Sequence, residues 1–281
     1  MDLNYLIKKY SLGCSRYLEL NGNKIHYTDR GKGEVVLFLH GIFSSLHTFE
    51  TWAHLLAKDF RVITIDMPGF GLTKSNPKND YSISFYVDFI NQFTLELGIM
   101  KLIISGNSLG GWIAWEFAVR FPEKVNKMIL VSSAGYINNG KFPLPFVLAR
   151  SPILKNVFRL EITSRRIVKF FINRLIIDKK IITDSLIDRY YSIALRKENR
   201  QAFVKFANSN LIQNTNALRD IEIPTLIFWG EKDSWISSEH ANRFKRDIHN
   251  SKVKIYDSVG HIPMEEIPEK SLKDLMSFLN L

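Results

Sequence analysis

An α/β fold is expected for this chain: a mostly parallel twisted sheet flanked by helices and interrupted by a helical insertion. Three observations lead there. Short apolar runs alternate with helical patterns, as in repeated strand–helix–strand units. The runs VVLFLH (35–40), KLIISG (101–106) and PTLIFWG (224–230) lack polar alternation, so both of their faces are expected to be covered. Between residues 136 and 219 the strand pattern stops and only helical stretches continue.

Taken in order, residues 3–10 place Leu3, Leu6, Ile7 and Tyr10 at helical spacing. This predicts a short amphipathic helix, docked on the domain itself or, given Lys8 and Lys9, resting on a lipid surface. YLEL and KIHYTDR flank the turn NGN and read as an opening hairpin. VVLFLH is a buried strand, followed by a loop and an amphipathic segment at 52–56. RVITID is the next strand, and MPGFG ends it because proline and two glycines forbid continuation. Helices are expected over 84–97 and 109–121, with KLIISG between them and VNKMILVSS after. PTLIFWG, a helix near 239–244, the strand KVKIYD and a helix over 266–279 complete the core. Helical stretches at 153–158, 166–175 and 185–196 form the insertion, which Pro143, Pro145 and Pro152 open and Pro224 closes. The expected division is a core of residues 1–135 and 220–281 and a helical cap of residues 136–219.

With 281 residues the chain can bury a sizeable core. Apolar residues at 46% and charged residues at 23% exclude a disordered chain. The longest uncharged stretches, such as 35–49, fall short of a membrane span, and the N-terminus lacks the apolar segment of a secretory signal. The single Cys14 excludes an internal disulfide and any cysteine-based metal cluster, so a cytoplasmic location is expected. Residues 136–219 contain 16 Lys and Arg against 5 Asp and Glu, a balance of +11, while the whole chain carries +10. The insertion therefore holds the entire basic excess. No nucleic-acid recognition motif accompanies it, which excludes nucleic acid as a partner, but the excess permits weak attraction to an anionic membrane surface.

The stretch GNSLGG (106–111) carries the chemistry. A strand that runs straight into a helix forces Ser108 into a sharp, strained turn. Gly106 and Gly110 remove side chains that would clash there, and the hydroxyl is pushed out at the carboxyl edge of the sheet. A serine hydroxyl at its ordinary pKa is a poor nucleophile and needs a base, with a further group to orient that base. Of seven histidines, His261 stands after the last core strand and before the last helix, where it can reach back over the sheet edge. His26, His240 and His249 read as solvated or satisfied side chains, and His40 as support for the neighbouring loop. His47 and His54 follow that loop and are weaker candidates. Asp233, just past PTLIFWG, is the expected acid. Asp66 is read as bracing its own turn, and Glu231 is less well placed. The backbone N–H groups of Leu109 and Ile42, with Phe43 as the alternative to Ile42, are the expected oxyanion donors. This chemistry calls for no metal and no organic cofactor.

The stretches HGIFSS, DMPGFGLT, GNSLGG, PTLIFWGEKD and GHIPMEEIPE, in this order, resemble the α/β-hydrolase superfamily over the whole chain except the insertion. The resemblance implies the α/β-hydrolase fold and a Ser108, Asp233, His261 triad, with residues 136–219 in the place of the family's variable cap. Haloalkane dehalogenases and epoxide hydrolases carry aspartate at the position of Ser108, which counts against those activities. Proline iminopeptidases usually have tryptophan where Leu109 stands. Asn107 before the serine is similar to carboxylesterases and to hydrolases of carbon–carbon bonds in ring-fission products. The latter usually carry tryptophan where Ile262 follows His261. The leading expectation is cleavage of a lipophilic small-molecule ester through an acyl-enzyme, by a monomer or homodimer. C–C bond or thioester hydrolysis with the same triad is the alternative, and a non-hydrolytic ligand receptor is the third reading.

Overall fold

The computed structural model describes residues 1–136, 144–152, 164–211 and 213–280. Among them, eight strands form one sheet: β1 (Ser15–Leu20), β2 (Asn23–Arg30), β3 (Val35–Leu39), β4 (Arg61–Ile65), β5 (Leu102–Asn107), β6 (Val125–Val131), β7 (Thr225–Gly230) and β8 (Ser251–Tyr256). Their spatial order is β1-β2-β4-β3-β5-β6-β7-β8. The β1–β2 and β2–β4 pairs are antiparallel, and every later pair is parallel. The opening hairpin thus adds an antiparallel edge to a parallel sheet, as the sequence pattern predicts.

The all-apolar strands behave as their composition requires. In β3, Val35, Leu37 and Leu39 enter one hydrophobic cluster while Val36 and Phe38 enter the other. A central strand covered on both faces has no use for polar alternation. On one side α3 (Ile83–Glu96) and α4 (Leu109–Arg120) cover the sheet, and α4 buries Trp112, Ile113, Trp115 and Phe117. Each such side chain contributes roughly 1.5–3 kcal/mol by leaving water. On the other side α2 (Glu50–Leu56) buries Trp52 and Leu56 beside Phe38 and Phe228.

Between β6 and β7 the described residues form α5 (Leu144–Arg150), α6 (Arg165–Leu175), α7 (Asp184–Leu195) and α8 (Lys197–Ala207), and none of them joins the sheet. The expected helices at 166–175 and 185–196 correspond to α6 and α7, whereas the stretch at 153–158 lies outside the described residues. Two helices escape the sequence pattern. In α8 the inward face carries Asn199 and Arg200 beside Phe203 and Phe206, so polar residues break the apolar period. In α5, one of the prolines that open the insertion, Pro145, falls in the first turn, where its missing N–H has no helical partner to lose.

The amphipathic helix α1 (Leu3–Tyr10) forms and is capped by Asp2, whose carboxylate accepts the Tyr5 N–H at 3.1 Å. It docks on the protein itself: the Tyr10 hydroxyl lies 3.0 Å from both the Asp188 carbonyl and Ser192 Oγ of α7. After β7 come α9 (Glu239–Asp247), then β8, then two helices in place of the single one expected over 266–279. α10 (Pro263–Glu266) and α11 (Pro268–Leu279) are separated at Ile267, whose backbone (φ −135°, ψ 56°) leaves the helical region because Pro268 follows.

Candidate active site

Ser108 occupies the single residue between β5 and α4, with φ 54° and ψ −113°. A left-handed backbone is uncommon for a residue with a Cβ and persists only where its surroundings enforce it. Here the Ser108 N–H donates to the Val131 carbonyl at 3.1 Å, and the Ser108 carbonyl accepts from Trp112 and Ala134 at 3.1 and 3.0 Å. The turn is tight enough that glycine is obligatory on either side. A Cβ at Gly106 would meet the Gly110 carbonyl oxygen at 2.1 Å, and one at Gly110 would meet the Leu39 oxygen at the same distance.

Asp233 follows β7 and His261 follows β8, so both lie at the carboxyl edge of the sheet, as Ser108 does. His261 Nδ1 stands 2.7 Å from Asp233 Oδ2, and both residues are buried. The other carboxylate oxygen, Oδ1, accepts the N–H groups of Trp235 and Ile236 at 2.8 and 3.0 Å, which fixes the carboxylate plane. Asn107 donates from Nδ2 to the carbonyls of Val131 and His261, at 3.1 and 3.2 Å, so the residue before Ser108 also tethers the His261 loop.

The loop after β3 runs beside Ser108: a Cβ built on Gly41 would lie 3.2 Å from Ser108 Cβ. Phe43 in this loop also has a positive φ, 57°. Asp66 braces it from below. Its carboxylate accepts the N–H groups of Leu46 and Leu72, both at 2.7 Å, and lies 2.7 Å from His26 Nδ1. His40 supports the same loop, with Nδ1 2.7 Å from the Gly41 carbonyl and Nε2 accepting from the Met67 N–H at 3.0 Å. Burial lowers the His40 pKa against the opposing charge of Asp66.

Ser108, Leu109, Ile42, Phe43 and His261 all line one cavity of about 300 Å³, and Asp233 sits behind His261. Its walls are apolar: Phe146, Val168, Phe171, Ile172 and Phe203 from the β6–β7 helices face Trp112 and Ile262 from the core. Among the described residues no group of three or more His, Cys, Asp or Glu side chains converges as a metal site.

Several lining residues go unnoticed in sequence reasoning. His240, expected at the surface, is buried and faces the cavity because α9 turns it inward against Tyr136 and Trp229. Burial, and then the nearby Arg243 charge, lower its pKa. Arg200 and Tyr190 reach the cavity from α8 and α7. Trp235, two residues after Asp233, lies nearly parallel to the His261 ring, with centroids 6.3 Å apart and planes at 26°. Glu266 links the His261 loop to the helices above it. Oε2 accepts the Gly260 N–H, while Oε1 accepts those of Ile177 and Asp178, all at 2.8 Å. Beside it the His261 N–H donates to the Leu175 carbonyl at 2.8 Å. The one sequence signal for Glu266 is an acid five residues past the histidine.

Comparison with known proteins agrees with this architecture. A family model described as the alpha/beta hydrolase fold matches residues 34–175. A 2-hydroxy-6-oxo-6-(2'-aminophenyl)hexa-2,4-dienoic acid hydrolase of Metapseudomonas resinovorans is 27% identical, over 97% of this chain and 93% of its own length. Lipase 1 of Psychrobacter immobilis is 25% identical over 99% of this chain and 88% of its own. Among solved structures, a serine hydrolase involved in carbazole degradation superposes with a TM-score of 0.80 at 26% identity, covering 95% of this chain and 98% of that one.

Proposed function

Because this chain belongs to the alpha/beta hydrolase fold family, and is a hydrolase, we propose that it cleaves carboxylic esters of lipophilic substrates through an acyl-enzyme. The observation that carries the reading is the cavity itself. Its wall holds a serine on a strained strand-to-helix turn and a histidine whose far nitrogen is already engaged by a buried aspartate.

In this reading Ser108 Oγ attacks the substrate carbonyl and His261 Nε2 takes the proton, later returning it to the leaving alcohol. Asp233 accepts from Nδ1–H, which selects the tautomer with a basic Nε2 and stabilises the imidazolium that forms. The N–H groups of Leu109 and Ile42 receive the charge developing on the carbonyl oxygen. Water then repeats the sequence on the acyl-enzyme and releases the acid. The helices of residues 136–219 act as a cap whose apolar walls hold the lipophilic group.

The bidentate acceptor Glu266 is a positioning residue in this scheme, since it fixes the His261 loop against the end of α6. Glu266→Ala is expected to lower kcat by about 10–100-fold with a much smaller change in KM. Glu266→Gln keeps one acceptor oxygen and should recover part of the loss. A purely structural role would instead lower the melting temperature and leave kcat per folded molecule unchanged.

A second reading is favoured by one observation: Arg200, almost fully buried, brings a cation to the cavity wall that would favour a substrate carboxylate, while its Nη1 donates to the Ala194 and Leu195 carbonyls. The Metapseudomonas relative is named for a dienoic acid, which carries such a group. Turnover of p-nitrophenyl esters of graded chain length, measured beside a ring-fission dienoate, separates the two. Preference for the esters supports the leading reading. Preference for the dienoate overturns it, and no turnover of either, with no labelling by a fluorophosphonate, turns the assignment toward a ligand receptor.

A further inference from the structure

We propose that the outer face of α5 and α6 docks on an anionic phospholipid surface. Seven large apolar side chains are exposed among the described residues, and four of them, Leu144, Val147, Ile167 and Phe170, belong to these two helices. Leu144 and Val147 are three residues apart, as are Ile167 and Phe170, so each pair shares one helix face. Residues of the same helices line the cavity: Pro145 and Phe146 from α5, and Ile167, Val168, Phe171 and Ile172 from α6, Ile167 being both exposed and a lining residue. The exposed apolar faces therefore flank the wall of the chamber that holds Ser108.

Charge selects the occupant. The α6 sequence RRIVKFFINRL carries four basic residues and no acid. Arg165 turns toward Asp184 and Asp188, at 2.6 and 2.7 Å. Arg166, Lys169 and Arg174 are exposed around Ile167 and Phe170, with the Arg174 guanidinium over the Phe170 ring at 5.9 Å. Residues 136–219 carry +11 of a chain total of +10, so the remainder is at −1 and the basic excess belongs to this segment of the chain. Exposed apolar side chains interleaved with cations, on two helices that carry no carboxylate of their own, match a negative interface into which the apolar groups can insert. No described helix is long and apolar enough to cross a membrane, so the contact is peripheral.

The test is co-sedimentation of the full chain, without substrate, with vesicles of phosphatidylcholine alone and of phosphatidylcholine with phosphatidylglycerol at about 2:1. The protein is expected to partition onto the mixed vesicles, less so as salt is raised, and weakly onto the neutral ones. Arg166→Glu with Lys169→Glu should weaken that partition by at least about 25-fold, at roughly five-fold for each charge lost. Val147→Ser with Phe170→Ser should weaken it about ten-fold or more, since neither residue lines the cavity and both offer apolar area for insertion. Unchanged melting temperatures show that both variants fold, and the wild-type arms can overturn the proposal by themselves. It is overturned by absence of wild-type protein from the mixed vesicles, by equal partition onto neutral ones, or by partition that neither pair of substitutions alters. A wild-type dimer that Phe170→Ser dissociates would overturn it too, assigning the face to a second copy. Vesicle binding does not use Ser108, so failure of the ester reading leaves this result readable.

Discussion

Ser108→Ala is expected to remove turnover of p-nitrophenyl esters almost completely, a fall of about 10⁴-fold or more. The reason is that no other group in the scheme can form the acyl-enzyme, while the oxyanion donors and the cavity alone support only a small residual rate. KM should change little, because alanine leaves the apolar walls intact. Stability should also change little, since the Ser108 backbone bonds to Val131, Trp112 and Ala134 do not involve the hydroxyl. Fluorophosphonate labelling followed by mass spectrometry of the modified peptide checks the same assignment without a chosen substrate. Full activity in the alanine protein, or a label on another residue, would refute the nucleophile.

The second large effect concerns stability. Asp66 is buried and gathers three donors: the Leu46 N–H, the Leu72 N–H and His26 Nδ1. Asp66→Ala leaves all three without an acceptor and is expected to cost about 3–5 kcal/mol, measured by urea unfolding. The acid side of the stability curve follows from the same group. Burial by itself would raise its pKa, but hydrogen bonding and the charge of His26 outweigh burial and bring it from 3.8 down to about 2. A depressed carboxylate stabilises the fold fully above its unfolded pKa and loses that contribution as pH falls toward the folded one. The wild-type protein should therefore lose on the order of 2 kcal/mol between about pH 5 and about pH 2 through this group. Asp66→Asn should flatten that part of the curve. A variant that keeps the full acid dependence would sink the attribution.

Asp66 also shows what a motif can and cannot say. Its partner His26 lies 2.7 Å from Ser15 Oγ, so Ser15, His26 and Asp66 form a hydrogen-bonded chain of the same three residue types as the proposed catalytic set. None of the three lines the cavity, and the arrangement pins the opening hairpin to the β4 turn. The relay geometry alone does not define a site. What distinguishes Ser108 is the strained turn between β5 and α4, and GNSLGG announces that turn in the chain because only glycine tolerates contacts of 2.1 Å to neighbouring carbonyls.

Local chemistry thus made much of this protein readable. Uninterrupted apolar runs specified buried parallel strands, and the hairpin and the glycine-fenced serine followed from turn chemistry. Asp233 and His261 were legible because residues just past a parallel strand must emerge at one edge of the sheet. The other polar members of the cavity wall were not. Arg200 and His240 look like surface residues in the linear pattern, and only the packing of α8 and α9 turns them inward. Glu266 is one acid among several in GHIPMEEIPE, and its place between Gly260 and residues 177–178 depends on segments that meet only when the chain is folded.

The sequence by itself determined the sheet, the strand ends and the residue types presented there, because these depend on periodicity and on backbone sterics within a few residues. The tertiary structure decided which polar side chains face the cavity and that Glu266 ties the His261 loop to residues 177–178. Those outcomes depend on contacts between residues tens of positions apart or more, and no local pattern encodes such distances.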